Sequence, residues 1–238
     1  AGGSINELPA VLVQHYYTLG TSRYSVDGAS LNSVFRDIYA DALRDIELLI
    51  ALSEEQNLPI HSGIAKICKA YIYSVLVDMF GDVPFSEASL GLENLDPNFD
   101  DAQTIYNALF PLIDEGIAEV STEEDVIAPD ASVDLFYGAD VEQWERFGNS
   151  LKLKLFNQIR LVDPTTATNG IAQILNTPAD FPIIEAAADD FQFVYFNSDA
   201  PEGRHPLFLN NYLTGQAQYM SNYLIDKMLT ANDPRLRY

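Results

Sequence analysis

The sequence predicts an all-α protein, mainly paired helices with minor irregular or extended segments. Three observations carry this reading. Apolar residues recur at three- and four-residue intervals over long stretches, which places them along one face of a 3.6-residue helix. Stop signals fall where these stretches end: Gly81 with Pro84 after one, Asp163-Pro164 after another. The alternation that a half-buried strand needs is confined to Phe191, Phe193 and Tyr195, and a lone strand needs a partner.

The elements follow in chain order. Residues 6–19 read as an opening helix, with Pro9 in its first turns and Gly20 at its end. Residues 31–52 carry Leu31, Val34, Phe35, Ile38, Ala42, Ile46 and Leu49 at helical spacing, with Ser30 as the N-cap. Residues 59–80 form a continuous stripe through Ile60, Ile64, Ile67, Cys68, Tyr71, Val75 and Met79. Residues 101–120 carry Ile105, Leu109, Leu112, Ile113 and Val120, with Pro111 inside to kink or divide the helix. Residues 140–161 repeat the pattern through Trp144, Phe147, Leu151, Leu155 and Ile159. Residues 165–175 and 221–230 read as short helices, and residues 15–28, 84–100, 121–140 and 179–213 as irregular connectors. Helices starting near 59, 101 and 140 are spaced by about 40 residues, which suits a tetratricopeptide-like superhelical scaffold of helix pairs.

Composition bounds the function. The chain has 238 residues, 47% of them hydrophobic, enough for a packed core. It holds 13 Lys+Arg against 35 Asp+Glu, a net charge of −22. Nucleic-acid affinity comes from cations neutralising phosphates, so this balance argues against nucleic acid and against electrostatic binding to an anionic membrane. The lone Cys68 makes no intrachain disulfide and sits on an apolar stripe, as an inert core thiol would. No apolar run reaches the roughly 18 residues of a membrane helix.

Catalytic signatures are missing. There is no zinc-protease, phosphate-loop, dinucleotide or nucleophile-elbow motif, so no cofactor or catalytic metal is indicated, and a looser calcium site in an acidic loop and an acid-pair glycosidase stay open. Asp96, Asn98 and Asp100 share the one-three-five spacing of a calcium loop, but Asp101 stands where that loop needs glycine and Asn107 where it needs glutamate. An acid pair for glycoside hydrolysis has many candidates among 35 acids, and none stands out.

Four stretches, in order, carry a resemblance. A helix running through Lys69-Ala70-Tyr71-Ile72-Tyr73 ends in Phe80-Gly81-Asp82-Val83-Pro84-Phe85-Ser86-Glu87-Ala88. Asp101-Ala102-Gln103-Thr104-Ile105-Tyr106 opens the next helix. Trp144 leads into Asn149-Ser150-Leu151-Lys152, and Asn232-Asp233-Pro234-Arg235-Leu236 follows a later helix. Together they resemble the nutrient-binding outer-membrane lipoproteins of the SusD/RagB family, in its SusD-like branch. The resemblance implies a helical, tetratricopeptide-like protein on the extracellular face of the outer membrane of Bacteroidetes-type bacteria. It implies a protein that is not an enzyme but binds oligosaccharides or other nutrients and passes them to a TonB-dependent, SusC-like transporter. Family members begin with a lipid-modified cysteine and continue past the Asp-Pro-Arg-Leu element. Residues 1–238 therefore read as one helical region, incomplete at both ends and lacking the lipid anchor. The other reading is a helical-repeat module that binds a peptide or protein partner.

Sugars stack an apolar face on aromatic rings and present hydroxyls to amides and charges, so aromatic loops on a rigid scaffold are the place to look. One candidate set is Tyr16, Tyr17, Arg23 and Tyr24, before the second helix; otherwise Tyr16 and Tyr17 pack at the end of the first. The other is Tyr195, Asn197, Arg204, His205, Phe208 and Tyr212; otherwise their rings turn inward over the helical core. The motif residues read as structural. Trp144 is expected in the core, Asn149 bonded to a neighbouring turn, Asp82 holding the turn after Gly81, and Arg235 paired with a carboxylate.

Overall fold

The computed structural model describes residues 7–18, 28–122, 129–199, 203–209, 213 and 218–237. Contacts divide the chain into two compact units, residues 38–193 and residues 1–37 with 194–238. Helices dominate, as the periodicity predicts, and extended structure among the described residues is minor, a two-stranded sheet and an isolated antiparallel bridge between Val83 and Asp100.

The chain opens with α1 (Glu7–Leu12) and β1 (Tyr16–Thr18). The single helix expected over 6–19 is therefore wrong in its second half. Gln14 takes a φ of 61°, which breaks the helix, and the chain beyond it pairs with a strand about 200 residues later. No local pattern signals such a partner. Next, α2 (Gly28–Asp37) starts ahead of Ser30, which lies inside the helix and is not its cap.

In residues 38–193, a π-helical stretch (Ile38–Leu43) leads into α3 (Arg44–Glu55). The helix expected over 31–52 is thus helical throughout but interrupted in its hydrogen-bond register. Then come α4 (Pro59–Phe80), α5 (Ala102–Val120), α6 (Val141–Gln158) with a 3₁₀ turn (Ile159–Leu161), and α7 (Pro164–Asn176). Each packs on its neighbour, and α4 also touches α6. Aspartates cap three starts: Asp101 accepts from Thr104 N at 2.9 Å, Asp140 from Glu142 N at 3.1 Å, and Asp163 from Thr166 N at 3.0 Å. α5 runs through Pro111, which faces solvent, without dividing.

α4 departs from the single-stripe expectation. Of the stripe residues only Ile67 is fully buried, while Gly63, Lys66, Ala70, Tyr73 and Val77 on other faces are buried too. The helix is enclosed on several sides, so one apolar face does not describe it. Against α5 it packs through glycines: a Cβ on Gly63 would lie 2.6 Å from the Gly116 carbonyl oxygen, and one on Gly116 would lie 2.8 Å from Ile67 Cγ1. Buried Lys66 sits at the same seam, bound to Glu119 on α5 at 2.6 Å and to Glu54 on α3 at 3.3 Å.

A second core is aromatic. Trp144 is buried, and its Nε1–H donates to Asp134 Oδ2 at 2.7 Å. Phe191 stacks between Phe147, at 4.0 Å, and Phe136, at 4.2 Å. Residues 191–195 consequently form no strand, because Phe191 is committed to this cluster. Cys68, Ile64 and Tyr71 pack against it from α4. Burial, with the Asp134 charge nearby, pushes the Cys68 thiol up to about 12.

The motif residues take structural roles. Asn149 is buried and donates to the Pro182 carbonyl at 3.0 Å, as expected of a buried amide. Asp233 accepts from Arg235 Nε at 2.9 Å and from Nη2 at 2.5 Å. Asp82 differs from expectation: it reaches forward to Ala102 N at 2.9 Å, satisfying the start of α5. The turn after Gly81 is held by Asp100, which accepts from Phe85 N at 2.9 Å and Ser86 N at 2.8 Å. These bonds use the Asp100 carboxylate that the calcium-loop spacing singled out.

After residue 193 the chain forms α8 (Pro206–Phe208), β2 (Gln218–Met220) and α9 (Asn222–Thr230), the last capped by Ser221. β1 and β2 are antiparallel, with Tyr16 opposite Met220, Tyr17 opposite Tyr219 and Thr18 opposite Gln218.

Candidate functional site

The ligand residues proposed from sequence all belong to the unit formed by residues 1–37 and 194–238. Arg23, Tyr24 and Tyr212 lie outside the described residues. The others fall into two groups.

The first group rests on the sheet. Tyr16 is partly buried and Tyr17 is 47% exposed. Directly opposite Tyr17 is Tyr219, 55% exposed, and opposed residues of an antiparallel pair share a face. Two phenols thus stand side by side toward solvent. Sequence reasoning missed Tyr219, because its place beside Tyr17 depends on a pairing between the two ends of the chain. A residue-level signal existed only in the aromatic character of residues 219–223.

The second group is a turn. Phe196 N donates to the Gly203 carbonyl at 2.9 Å and Gly203 N to the Ser198 carbonyl at 2.9 Å, which closes the loop on itself. A Cβ at Gly203 would lie 2.3 Å from the Phe196 ring, so only glycine fits beneath it. Tyr195 meets His205 edge-on, with centroids 4.5 Å apart, and Arg204 lies over the Phe208 ring at 5.9 Å. Asn197 is exposed in the same turn. Tyr195, Phe196 and Phe208 keep 44%, 55% and 42% of their surface open. The inward-turned alternative describes Phe191 and not these rings. The turn brings Tyr195, Arg204, His205 and Phe208 together, whereas Tyr16 and Tyr17 are engaged with β2.

Exposed rings, an amide, an imidazole and a guanidinium can bind a polyhydroxylated ligand by stacking and hydrogen bonding. Among the described residues there is no group of three or more His, Cys, Asp or Glu that could hold a metal ion.

A family described as "Starch-binding associating with outer membrane", SusD-like, matches residues 4–238. The chain belongs to the SusD-like family. Solved structures agree. A chitin-binding protein is 25% identical, with a TM-score of 0.79 over 96% of this chain and 48% of its own. A SusD homolog from Bacteroides uniformis is 25% identical, with a TM-score of 0.79 over 95% of this chain and 47% of its own. A SusD/RagB family protein from Bacteroides thetaiotaomicron shares the fold, with a TM-score of 0.80 at 22% identity, over 98% of this chain and 49% of its own. This chain therefore spans about half the length of these structures. No curated protein matches it. The family's description concerns the outer membrane, and no helix among the described residues is long and apolar enough to cross a membrane.

Proposed function

We propose that this protein is a non-enzymatic glycan- or nutrient-binding component of the outer-membrane surface, which captures oligosaccharides and hands them to a TonB-dependent, SusC-like transporter. The observation that carries the reading is the family match over residues 4–238, whose description is starch binding. The similarity to a chitin-binding protein supports a saccharide ligand without fixing its identity. Attachment by an N-terminal lipid on the extracellular face belongs to the same proposal.

The ligand surface we assign comprises Tyr16, Tyr17, Tyr195, Asn197, Arg204, His205 and Phe208, with Arg23, Tyr24 and Tyr212. Tyr219 joins it through its pairing with Tyr17. The exposed rings offer flat apolar faces for sugar C–H groups, and the polar side chains offer hydroxyl partners. A glycan array followed by calorimetry on the full-length protein tests the assignment. Tyr17→Ala and Tyr195→Ala are expected to weaken glycan binding by about tenfold each, the order of one lost stacking contact. Folded protein that binds no glycan or peptide pool would overturn it. Copurification separates the handoff from the protein-module reading: a membrane transporter supports the first, a soluble protein alone the second.

A further inference from the structure

Away from the loops, a cavity of about 470 Å³ opens in the 38–193 unit, between α3, Lys69 on α4 and the connector 85–91. Its size falls within the range of small-molecule sites. Leu48, Ala51 and Leu90 give it an apolar wall. Three further features set it apart.

Arg44 lines the cavity and, among the described residues, has no carboxylate partner, although the chain carries 35 acids. The other cation there, Lys69, is paired with Glu47 at 2.6 Å, so among the described residues that line the cavity the guanidinium is the charge left over. Ser89 also lines the cavity. Its hydroxyl oxygen is buried without a hydrogen-bond partner, a state that folded proteins generally avoid. Ser89 has a φ of 62°, a left-handed backbone uncommon for residues other than glycine, asparagine and aspartate. Such strain is often found where a ligand is held.

We infer that this cavity is a second ligand site, which binds a small carboxylate-bearing sugar of the uronate class. The Arg44 fork takes the carboxylate, the Ser89 hydroxyl takes a ring hydroxyl, and the apolar wall receives the C–H face of the ring. The strongly acidic remainder of the chain disfavours anions in general, so the site selects by local geometry and not by overall attraction.

The test is calorimetry on the full-length protein with D-glucuronate as probe, and D-glucose and acetate as controls at matched ionic strength. Glucuronate should bind measurably, and both controls at least about tenfold more weakly, since each lacks one half of the recognition. Arg44→Gln should weaken glucuronate binding by about tenfold or more. Ser89→Gly removes the hydroxyl and relieves the positive φ, so it should lose affinity while the melting temperature holds or rises. A purely structural Ser89 would show the stability gain without the loss. Equal binding of glucose or acetate, or an unchanged affinity in Arg44→Gln, overturns the proposal. Loss of glycan binding through the aromatic turn leaves this result untouched, so the two sites fail independently.

Discussion

Replacing Asp134 by Asn tests the aromatic core at a polar anchor that binds Trp144. One carboxylate oxygen accepts from Trp144 Nε1 at 2.7 Å and Ala139 N at 2.8 Å, and the other from Phe136 N at 3.0 Å and Tyr137 N at 3.2 Å. Every partner is a donor. Asparagine keeps one acceptor oxygen and turns an NH₂ against two of these four N–H groups, whichever way it is flipped. A hydrogen bond to a charged group contributes about 1.5–3 kcal/mol, so two lost bonds bound the cost at roughly 3–6 kcal/mol. The favoured flip keeps the oxygen on the Trp144 indole, 1% exposed, and on Ala139 N, so the bonds lost are those of Phe136 N and Tyr137 N, and the burial of Tyr137 limits what water can replace. The expected loss is therefore about 3 kcal/mol. Urea unfolding reads it directly, because Trp144 is the only tryptophan and reports the core by fluorescence. Trp144→Phe removes the donor from the other side. The cycle of both variants, followed by circular dichroism, should return a coupling of about 1 kcal/mol or more. A loss below about 0.5 kcal/mol in Asp134→Asn would refute the claim that this carboxylate anchors the cluster.

The same carboxylate makes a pH prediction. Burial pushes Asp134 up, but the Trp144 indole and three main-chain N–H groups outweigh it and hold the folded value below the usual carboxylate range. The unfolded chain then binds the proton more readily. This contribution is fully present above about pH 4 and lost as pH falls through the folded value, and Asp134→Asn should flatten that acid slope in urea titrations. Gly116→Ala should destabilise by about 1–2 kcal/mol, since separating α4 from α5 costs more than the helix gains from alanine, and a more stable variant in thermal melts would contradict the close crossing. With its thiol near 12, native Cys68 should resist thiol reagents at pH 8 and label promptly in urea; stoichiometric labelling of folded protein within minutes would contradict its burial.

The helices were legible in the sequence because their signals are local. Pro59 and Gly81 bracket α4 where the structure places it, and Asp101, Asp140 and Ser221 cap α5, α6 and α9. What was not legible depends on distant partners. β1 exists because residues 218–220 pair with it, and Tyr219 becomes a candidate ligand residue only through that pairing. Phe191 follows the alternation of a strand, yet stacking between Phe136 and Phe147 decides its place. The role of Asp82 was misread for the same reason: the donor it satisfies lies twenty residues ahead, at Ala102 N.

The resemblance and the proposed ligand surface also draw on different residues. The glycine-aspartate turn, the Trp144 helix and the Asn149 amide all hold the 38–193 unit together. They identify the family because a turn, a cap or a buried amide tolerates few alternatives. The exposed rings of Tyr17, Tyr195 and Tyr219, assigned above to the proposed ligand surface, belong to the other unit. The acidity divides in the same way. Asp100, Asp101, Asp134, Asp140 and Asp163 each accept main-chain N–H bonds. A share of the −22 charge is thus structural, not merely a solvated face. Among the described residues Arg44 has no carboxylate partner, and the second ligand site proposed above gives that cation a use.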